Sequence, residues 1–191
     1  MTDFSSDVEN CLEVLHRGGI ILYPTDTIWG LGCDATNAEA VDKLINLKGK
    51  NTNNGLIVLL AVERDILQYV AAPDPAIFSF FDTITKPTTV IYENGIGVAD
   101  KVLKDDGSLA IRLVHEDFCR HLIKRFKKPI VSTSANFSGQ PSPANFGEIN
   151  GELKTKVDYI ASYRSSNIEM NTSSDLVRWK NGEMFYLRQN R

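Results

Sequence analysis

The fold class follows first from residues 7–27, which read DVENCLEVLHRGGIILYPTDT. Apolar side chains recur there at the spacing of an amphipathic helix, which predicts a helix over residues 7–17 that ends at Gly18 and Gly19. Residues 20–23 are all hydrophobic and are followed by Pro24, which predicts a short buried strand. A helix and a buried strand therefore follow each other directly near the start of the chain.

The same alternation continues through the rest of the sequence. A capping box at residues 36–39 predicts a helix that ends near Lys48, because Gly49 favours the conformation that terminates a helix. Further strands are predicted at residues 56–61, 88–92, 109–113 and 129–132, and further helices at residues 75–81 and 116–126. Because helices and strands alternate without separating into blocks, we predict an α/β fold with a mixed sheet, in a single domain over residues 1–191.

The composition is that of a soluble globular protein. The chain has 191 residues, of which 42% are hydrophobic and 24% are charged. Its longest apolar run, residues 56–62, is too short to span a bilayer, and its acidic N-terminus is unlike a signal peptide. Cys11, Cys33 and Cys119 lie far apart and are odd in number, which argues against a disulfide framework. We therefore expect a cytoplasmic protein with no membrane partner.

Charge limits the kinds of ligand that the chain can bind. With 21 Lys and Arg against 24 Asp and Glu, the net charge is −3, whereas a protein that binds nucleic acid non-specifically usually has a basic excess. Any anion site must therefore use a few placed cations. The three histidines form no triad or ligand set, and no carboxylate pair has metal-binding spacing, so we predict no metal held by the protein itself.

A polar turn, Pro24-Thr-Asp-Thr27, follows the first predicted strand. Ligands of α/β proteins bind beyond the carboxyl ends of strands, and threonine hydroxyls both donate and accept hydrogen bonds. The turn is therefore a candidate binding site for a small polar molecule. Such side chains also stabilise turns by bonding to their own backbone, and the pattern alone does not separate the two interpretations.

Lys48 and Lys50, separated by Gly49, follow the predicted helix. Two cations at this spacing can hold a phosphate group between them. Lysines also gather at helix C-termini because the helix dipole favours positive charge there, and on spacing alone this second interpretation is the commoner one. The chain lacks the G-x-x-x-x-G-K-[ST] pattern of a phosphate-binding loop.

Small polar side chains are concentrated after the strand predicted at residues 129–132. Residues 132–136 read STSAN and are followed by Ser138 and Gly139. Hydroxyl, amide and backbone N–H groups at this density favour a site for phosphate, ribose or carboxylate over a merely polar turn.

Arg112 lies within the apolar strand predicted at residues 109–113. A buried arginine requires a partner, and its planar fork suits a carboxylate. An edge strand with Arg112 exposed to solvent is an equally good interpretation of the pattern.

Four stretches together resemble the YrdC/Sua5 family of threonylcarbamoyl-adenylate synthases. They are GIILYPTDTIWGLGCD (19–34), KGKNTNNGLIV (48–58), LAIRL (109–113) and STSANFSGQPS (132–142). The combination of P-T-[DE]-T-x-[YW]-G-L with S-A-N-x-S-G is specific, and the similarity covers residues 7–188. The chain is similar to the short form, which has a single YrdC-like domain.

The resemblance implies a twisted mixed sheet, flanked by helices, around a basic concave cavity. It implies that the enzyme, a nucleotidyltransferase, condenses L-threonine, bicarbonate or CO₂, and ATP into threonylcarbamoyl-AMP and pyrophosphate, for tRNA modification. The residues implied for threonine are Thr27, Arg112, Ser132 and Ser174. Those implied for ATP are Lys50, Asn54, Ser108, Ser134, Asn136, Ser142 and Arg188, with Lys48 and Lys50 as the catalytic cations. Mg²⁺ would arrive with the nucleotide, and tRNA and downstream threonylcarbamoyl-transfer proteins are the implied partners.

The sequence also departs from the family pattern. Lys50 stands where the family has arginine, which keeps the charge but loses the planar fork. Asn51 and Val114 replace prolines, and Asp175 replaces a threonine. Two alternatives therefore stay open: a non-catalytic RNA- or tRNA-binding factor that uses the same cavity, and a relative that kept the fold without the reaction.

Overall fold

The computed structural model describes residues 4–49, 56–167, 172–180 and 182–189. Within these ranges the helices are α1 (Ser5–His16), α2 (Ala38–Lys48), α3 (Ile66–Tyr69), α4 (Ala76–Phe81), α5 (Asp117–Phe126) and α6 (Gly151–Thr155). The strands are β1 (Ile21–Tyr23), β2 (Gly30–Asp34), β3 (Ile57–Leu60), β4 (Thr88–Tyr92), β5 (Leu109–Leu113), β6 (Ile130–Ser134), β7 (Tyr159–Ile160), β8 (Asp175–Lys180) and β9 (Glu183–Arg188). None of the described helices is long and apolar enough to pass through a membrane.

The strands form one mixed sheet in the order β7-β1-β2-β6-β3-β5-β4-β8-β9. The pairs β1–β7, β3–β5 and β4–β8 are parallel, and the other five neighbouring pairs are antiparallel. The predicted α/β class with a mixed sheet is thus confirmed. Each helix and strand predicted from the sequence is present, with boundaries within about two residues of those predicted.

Strand β2 is not predicted from the sequence, because two glycines in three residues are typical of a turn. Both glycines instead allow neighbouring side chains to pack closely against the backbone of β2. A Cβ at Gly30 would lie 2.8 Å from Ser132 Oγ, and one at Gly32 would lie 2.6 Å from Tyr23 Cε1. Strands β7, β8 and β9 are likewise additional to the prediction.

Helices pack against both faces of the sheet. Ile21, Leu59 and Ile130 point to the face that α1 and α5 cover. Leu22 and Val58 alternate with them and belong to the core on the opposite face, which includes the apolar side of α2. The central strands are therefore covered on two sides, which explains their nearly continuous apolar runs.

The start of α2 differs from the predicted capping box. Asn37, not Thr36, caps the helix, because its side-chain oxygen accepts a hydrogen bond from Ala40 N at 3.1 Å. The Thr36 hydroxyl donates to Asp34 Oδ1 at 2.7 Å, so the predicted cap is wrong by one residue. At the other end, Gly49 has a φ of 84°, and the predicted helix stop is confirmed.

A buried carboxylate joins α1 to the segment after β7. Asp7 is 3% exposed, and it accepts hydrogen bonds from Tyr159 Oη (2.6 Å), Ser162 N (3.0 Å), Ser162 Oγ (3.0 Å) and Tyr163 N (2.7 Å). Burial alone would raise the pKa of Asp7, but these hydrogen bonds together outweigh it and hold the pKa below its usual value. Asp7 is therefore held in its charged form.

We expect Asp7→Asn to lower the free energy of unfolding at neutral pH by about 1–3 kcal/mol, because an amide nitrogen would replace one acceptor among four donors. A carboxyl whose pKa is lower in the folded state stabilises the protein above its unfolded-state pKa, and this contribution is lost as the pH falls through the folded-state pKa. The difference between wild type and variant should thus shrink below about pH 4. Urea unfolding at several pH values measures it.

The matched control is Glu9→Gln. Glu9 lies two residues after Asp7, on the exposed side of α1, where it pairs with Arg125. That substitution should change stability little, because an exposed ion pair contributes little. A difference for Asp7→Asn that does not vary with pH would contradict the assigned charge state.

Candidate functional site

A cavity of about 750 Å³ opens on the sheet face that α1 and α5 cover elsewhere. Its floor consists of cross-strand neighbours, which present the same face of the sheet to the cavity. Gly30 pairs with Ser134 between β2 and β6, and Arg112 pairs with Thr89 between β5 and β4. The volume is typical of a site for a small molecule or cofactor.

The charged side chains that line the cavity are all cationic in the described part of the chain. They are Lys48, Lys104, Arg112 and Arg188, with no Asp or Glu among the lining residues. Most of the other lining residues carry a hydroxyl or amide group, namely Thr25, Thr27, Thr89, Ser132, Thr133, Ser134, Asn136, Ser138, Ser142, Ser173 and Ser174. A concave surface of one charge sign attracts ligands of the opposite sign. The net charge of −3 thus conceals a local site suited to anions.

Lys48 enters the cavity from the end of α2. It is 6% exposed, and its Nζ donates to the backbone oxygens of Ser134 (2.6 Å) and Asn136 (2.8 Å). Burial lowers the pKa of Lys48 to about 8, and no described carboxylate offsets this effect. A buried cation that has only neutral partners is a place where a bound anion would be stabilised.

Arg112 lies at the centre of the sheet, in β5 between β3 and β4, and is 3% exposed. The alternative of a solvent-facing edge strand is therefore wrong. Nη2 lies 3.0 Å from Asp26 Oδ1, a partner that sequence reasoning did not identify. The two groups form an ion pair without hydrogen-bond alignment, since Arg112 Nε and both Asp26 oxygens lack a hydrogen-bond partner among the described residues. Arg112 thus has donors left for a second carboxylate.

The turn after β1 is stabilised by one of its own threonines, as one of the two interpretations of its sequence predicted, and the binding role stays a prediction. Thr25 Oγ1 accepts from Thr27 N at 3.1 Å and donates to Ile28 O at 2.8 Å, so Thr25 stabilises the turn. The two hydroxyl oxygens of Thr25 and Thr27 lie 3.0 Å apart, which fixes Thr27 at the cavity wall.

The segment after β6 forms the wall beside Lys48. Asn136 Nδ2 donates to the backbone oxygens of Phe137 (3.1 Å) and Gln140 (2.7 Å), whereas its buried Oδ1 has no hydrogen-bond partner among the described residues. Ser138 N donates to Lys48 O at 2.8 Å and so ties this segment to the end of α2. The predicted residues Ser132, Ser134, Asn136 and Ser142 all line the cavity.

The opposite wall comes from the C-terminal strands. Ser174 and Thr89 are buried and share a hydrogen bond between their hydroxyls at 2.7 Å. The guanidinium of Arg188 donates to Ser174 O through Nε (3.2 Å) and Nη2 (2.8 Å). The structure therefore brings Ser174 and Arg188, which are distant in sequence from Arg112, into the same cavity.

Not every predicted site residue is placed in the cavity. Ser108 is buried outside it and donates its hydroxyl to Asp106, while Lys50 and Asn54 lie outside the described residues. Sequence reasoning missed Thr89 and Lys104, which do line the cavity. Thr89 lies in a β-branched run that indicates only a strand, and Lys104 belongs to no motif.

The fold and the site define a class: a mixed α/β sheet that carries a polar cavity, whose charged lining residues among those described are all cationic. The Sua5_yciO_yrdC family profile, which is described as "Telomere recombination", matches residues 13–190. The chain belongs to this family.

Among the proteins that are similar to the chain are two relatives and one solved structure. "Threonylcarbamoyl-AMP synthase" of Halorhodospira halophila is 32% identical over 169 residues, which cover 86% of this chain and 87% of the relative. The protein of the same name from Vibrio campbellii is 30% identical over 184 residues, 95% of this chain and 97% of the relative. Sua5 of P. abyssi, complexed with L-threonine, has a TM-score of 0.82 at 22% identity and thus shares the fold; the match covers 96% of this chain and 54% of that one.

Proposed function

We propose that the chain makes L-threonylcarbamoyl-adenylate from L-threonine, bicarbonate or CO₂, and ATP, and releases pyrophosphate. The product would serve the threonylcarbamoyladenosine modification of tRNA. The observation that carries the proposal is one cavity that holds both Arg112, which suits a carboxylate, and Lys48, a buried cation whose partners among the described residues are neutral. The names of the relatives support this reaction, and the threonine complex of Sua5 supports the amino-acid substrate.

In this proposal Arg112 binds the carboxylate of threonine. Its guanidinium is paired with the Asp26 carboxylate, and Nε has no hydrogen-bond partner among the described residues. Thr27, Ser132 and Ser174 line the same cavity, and their hydroxyl groups would bind the amine and hydroxyl of the substrate. Hydroxyl groups suit this task because each can donate or accept.

The nucleotide would occupy the part of the cavity beside Lys48. Lys48 and Arg188 supply charge for the phosphates, and Ser134, Asn136 and Ser142 supply polar contacts. Lys50, Asn54 and Ser108 stay predictions for the same role. Among the described residues no cluster of His, Cys, Asp or Glu could hold a metal ion, so Mg²⁺ would be bound through the phosphates of ATP.

The proposed chemistry needs no covalent intermediate with the protein. The threonine amine is carboxylated, the resulting carbamate attacks the α-phosphorus of ATP, and pyrophosphate leaves, which makes the enzyme a nucleotidyltransferase. Catalysis of this kind depends on positioning and on cations placed where negative charge develops. Proteins that transfer the threonylcarbamoyl group to tRNA would consume the product. The three free, buried cysteines fit a reducing compartment such as the cytoplasm.

Threonine-dependent release of pyrophosphate tests the proposal. The purified chain is incubated with ATP, threonine and bicarbonate, with each omitted in turn, and the adenylate is identified by mass spectrometry. We expect release only when all three are present. Release that does not depend on threonine would contradict the proposal, and steeply salt-dependent RNA binding without any release would favour the RNA-binding alternative.

We expect serine to be a poor substrate and not an inert one. One methyl group in a pocket contributes about 1–3 kcal/mol to discrimination, so kcat/KM for serine should be about 10- to 200-fold below that for threonine. Steady-state pyrophosphate release with the two amino acids measures the ratio. Equal efficiency would contradict a pocket built for threonine.

A further inference from the structure

We propose that Lys48 is the general base that accepts a proton from the ammonium group of the amino-acid substrate. The inference rests on the proposed function, in which the substrate nitrogen forms a bond to the carbon of CO₂. An ammonium group has no lone pair and cannot form that bond. The cavity must therefore contain, or be connected to, a proton acceptor, and its lining includes no Asp, Glu or His among the described residues.

The hydrogen bonds of Lys48 leave one position on its nitrogen for this task. Nζ donates to Ser134 O at 2.6 Å and to Asn136 O at 2.8 Å. A neutral amine has two N–H bonds and one lone pair, so both carbonyl groups remain satisfied when the proton is absent. The lone pair then takes the tetrahedral position that no described residue occupies. The two carbonyl groups therefore hold Nζ in place in either protonation state.

The surroundings of Lys48 shift its protonation equilibrium toward the neutral amine. The groups of β6 and of the segment after it that contact Nζ are uncharged, and the other charged side chains on the cavity wall are Lys104, Arg112 and Arg188. Asp26 is paired with Arg112 and does not line the cavity. Burial lowers the pKa of Lys48 to about 8, close to the working pH that an efficient general base requires.

The proposed step balances with the substrates already named. The threonine ammonium gives one proton to Nζ, and the lone pair that this frees forms the N–C bond to CO₂. The second proton lost from the nitrogen goes to water, and the carbamate keeps a negative charge. Lys48, now protonated, then lies beside the α-phosphate while the carbamate oxygen attacks it and the bond to pyrophosphate breaks. One side chain would thus serve two successive steps.

Chemical modification of a cysteine variant tests the role of Lys48. Lys48→Cys is treated with 2-bromoethylamine, which converts the thiol into an aminoethyl thioether of nearly the length of lysine but of lower amine pKa. Cys11, Cys33 and Cys119 are buried, and burial raises the pKa of each of these thiols, so the new thiol should react selectively. We expect Lys48→Cys to lose about 10²- to 10⁴-fold in threonine-dependent pyrophosphate release, and the modification to restore most of it.

The decisive measurement is the pH dependence of kcat/KM for threonine. The ascending limb should move to lower pH in the modified enzyme, because the base has a lower pKa while the pKa of free threonine is unchanged. Restored activity with the limb in its original position, or no restoration in a variant that still binds ATP, would overturn the proposal.

A second variant, Lys48→Arg, keeps the positive charge but cannot act as a base near neutral pH. We expect it to bind ATP with similar affinity in calorimetry and to lose pyrophosphate release to the same extent as Lys48→Cys. Release at the wild-type rate from Lys48→Arg would overturn the proposed base and leave the proposed function intact. No release from the wild-type chain would instead contradict the proposed function itself.

Discussion

Arg112→Ala should weaken threonine binding at least about 30-fold and also lower the free energy of unfolding by about 3–5 kcal/mol. The first effect follows because a buried guanidinium is the proposed partner of the substrate carboxylate, an interaction for which about 2–5 kcal/mol, or at least about 30-fold in affinity, is typical. The second follows because the variant leaves the buried carboxylate oxygens of Asp26 without their ion-pair partner. Calorimetric titration with threonine and urea unfolding measure the two effects.

A double variant separates binding from folding. In Arg112→Met with Asp26→Asn the guanidinium and its buried counter-charge are both removed, so most of the lost stability should return. Threonine binding should not return, because no cation replaces the fork. If threonine affinity survives in either variant, the assignment of the carboxylate site to Arg112 is wrong.

Lys48→Met should reduce threonine-dependent pyrophosphate release by about 10²- to 10⁴-fold. The loss should fall mainly on kcat, since the charge that Lys48 is proposed to stabilise grows in the transition state. ATP affinity should change much less. The control is Lys43→Met, an exposed residue of the same helix outside the cavity, which should retain wild-type kinetics.

The same variant should change how stability depends on pH. The pKa of Lys48 is about 8 in the folded chain against an ordinary value of 10.5, so the unfolded state binds more protons between these values. Wild-type stability therefore gains from this group as the pH rises from about 8 to about 10, whereas Lys48→Met lacks the gain. The free energy of unfolding of the wild type should therefore rise relative to that of Lys48→Met between about pH 8 and pH 10. If the two free energies change in parallel with pH, the charge of Lys48 is not desolvated in the folded state.

Helices and strands could be predicted from local patterns because each pattern is repeated over several residues. Thr36 and Asn37 show where this fails: two adjacent residues can both cap a helix, and here the Thr36 hydroxyl bonds to Asp34, two residues earlier, which leaves the cap to Asn37. Strand β2 fails for another reason, since the pattern of Gly30 and Gly32 is the same in a turn and in a tightly packed strand.

Site residues that belong to a sequence motif could be predicted. Site residues that only strand pairing brings into the cavity could not. Thr27, Lys48 and Ser134 belong to recognisable segments and do line the cavity, although their roles stay predictions. The pairing of Arg112 with Asp26 joins residues 86 positions apart, and no local pattern indicates it. The position of Thr89 beside Arg112 follows only from the register of β4 on β5.

The residues that line the cavity come from both ends of the chain, between Thr25 and Arg188, so the cavity can form only late in refolding. Its two sides meet only after β8 has paired in parallel with β4, a contact between strands that are far apart in the chain. Long-range parallel pairing is slow compared with helix formation. Recovery of ligand binding after dilution from denaturant should therefore lag behind recovery of the helical circular-dichroism signal, and the site would then act as a reporter for the final assembly of the sheet.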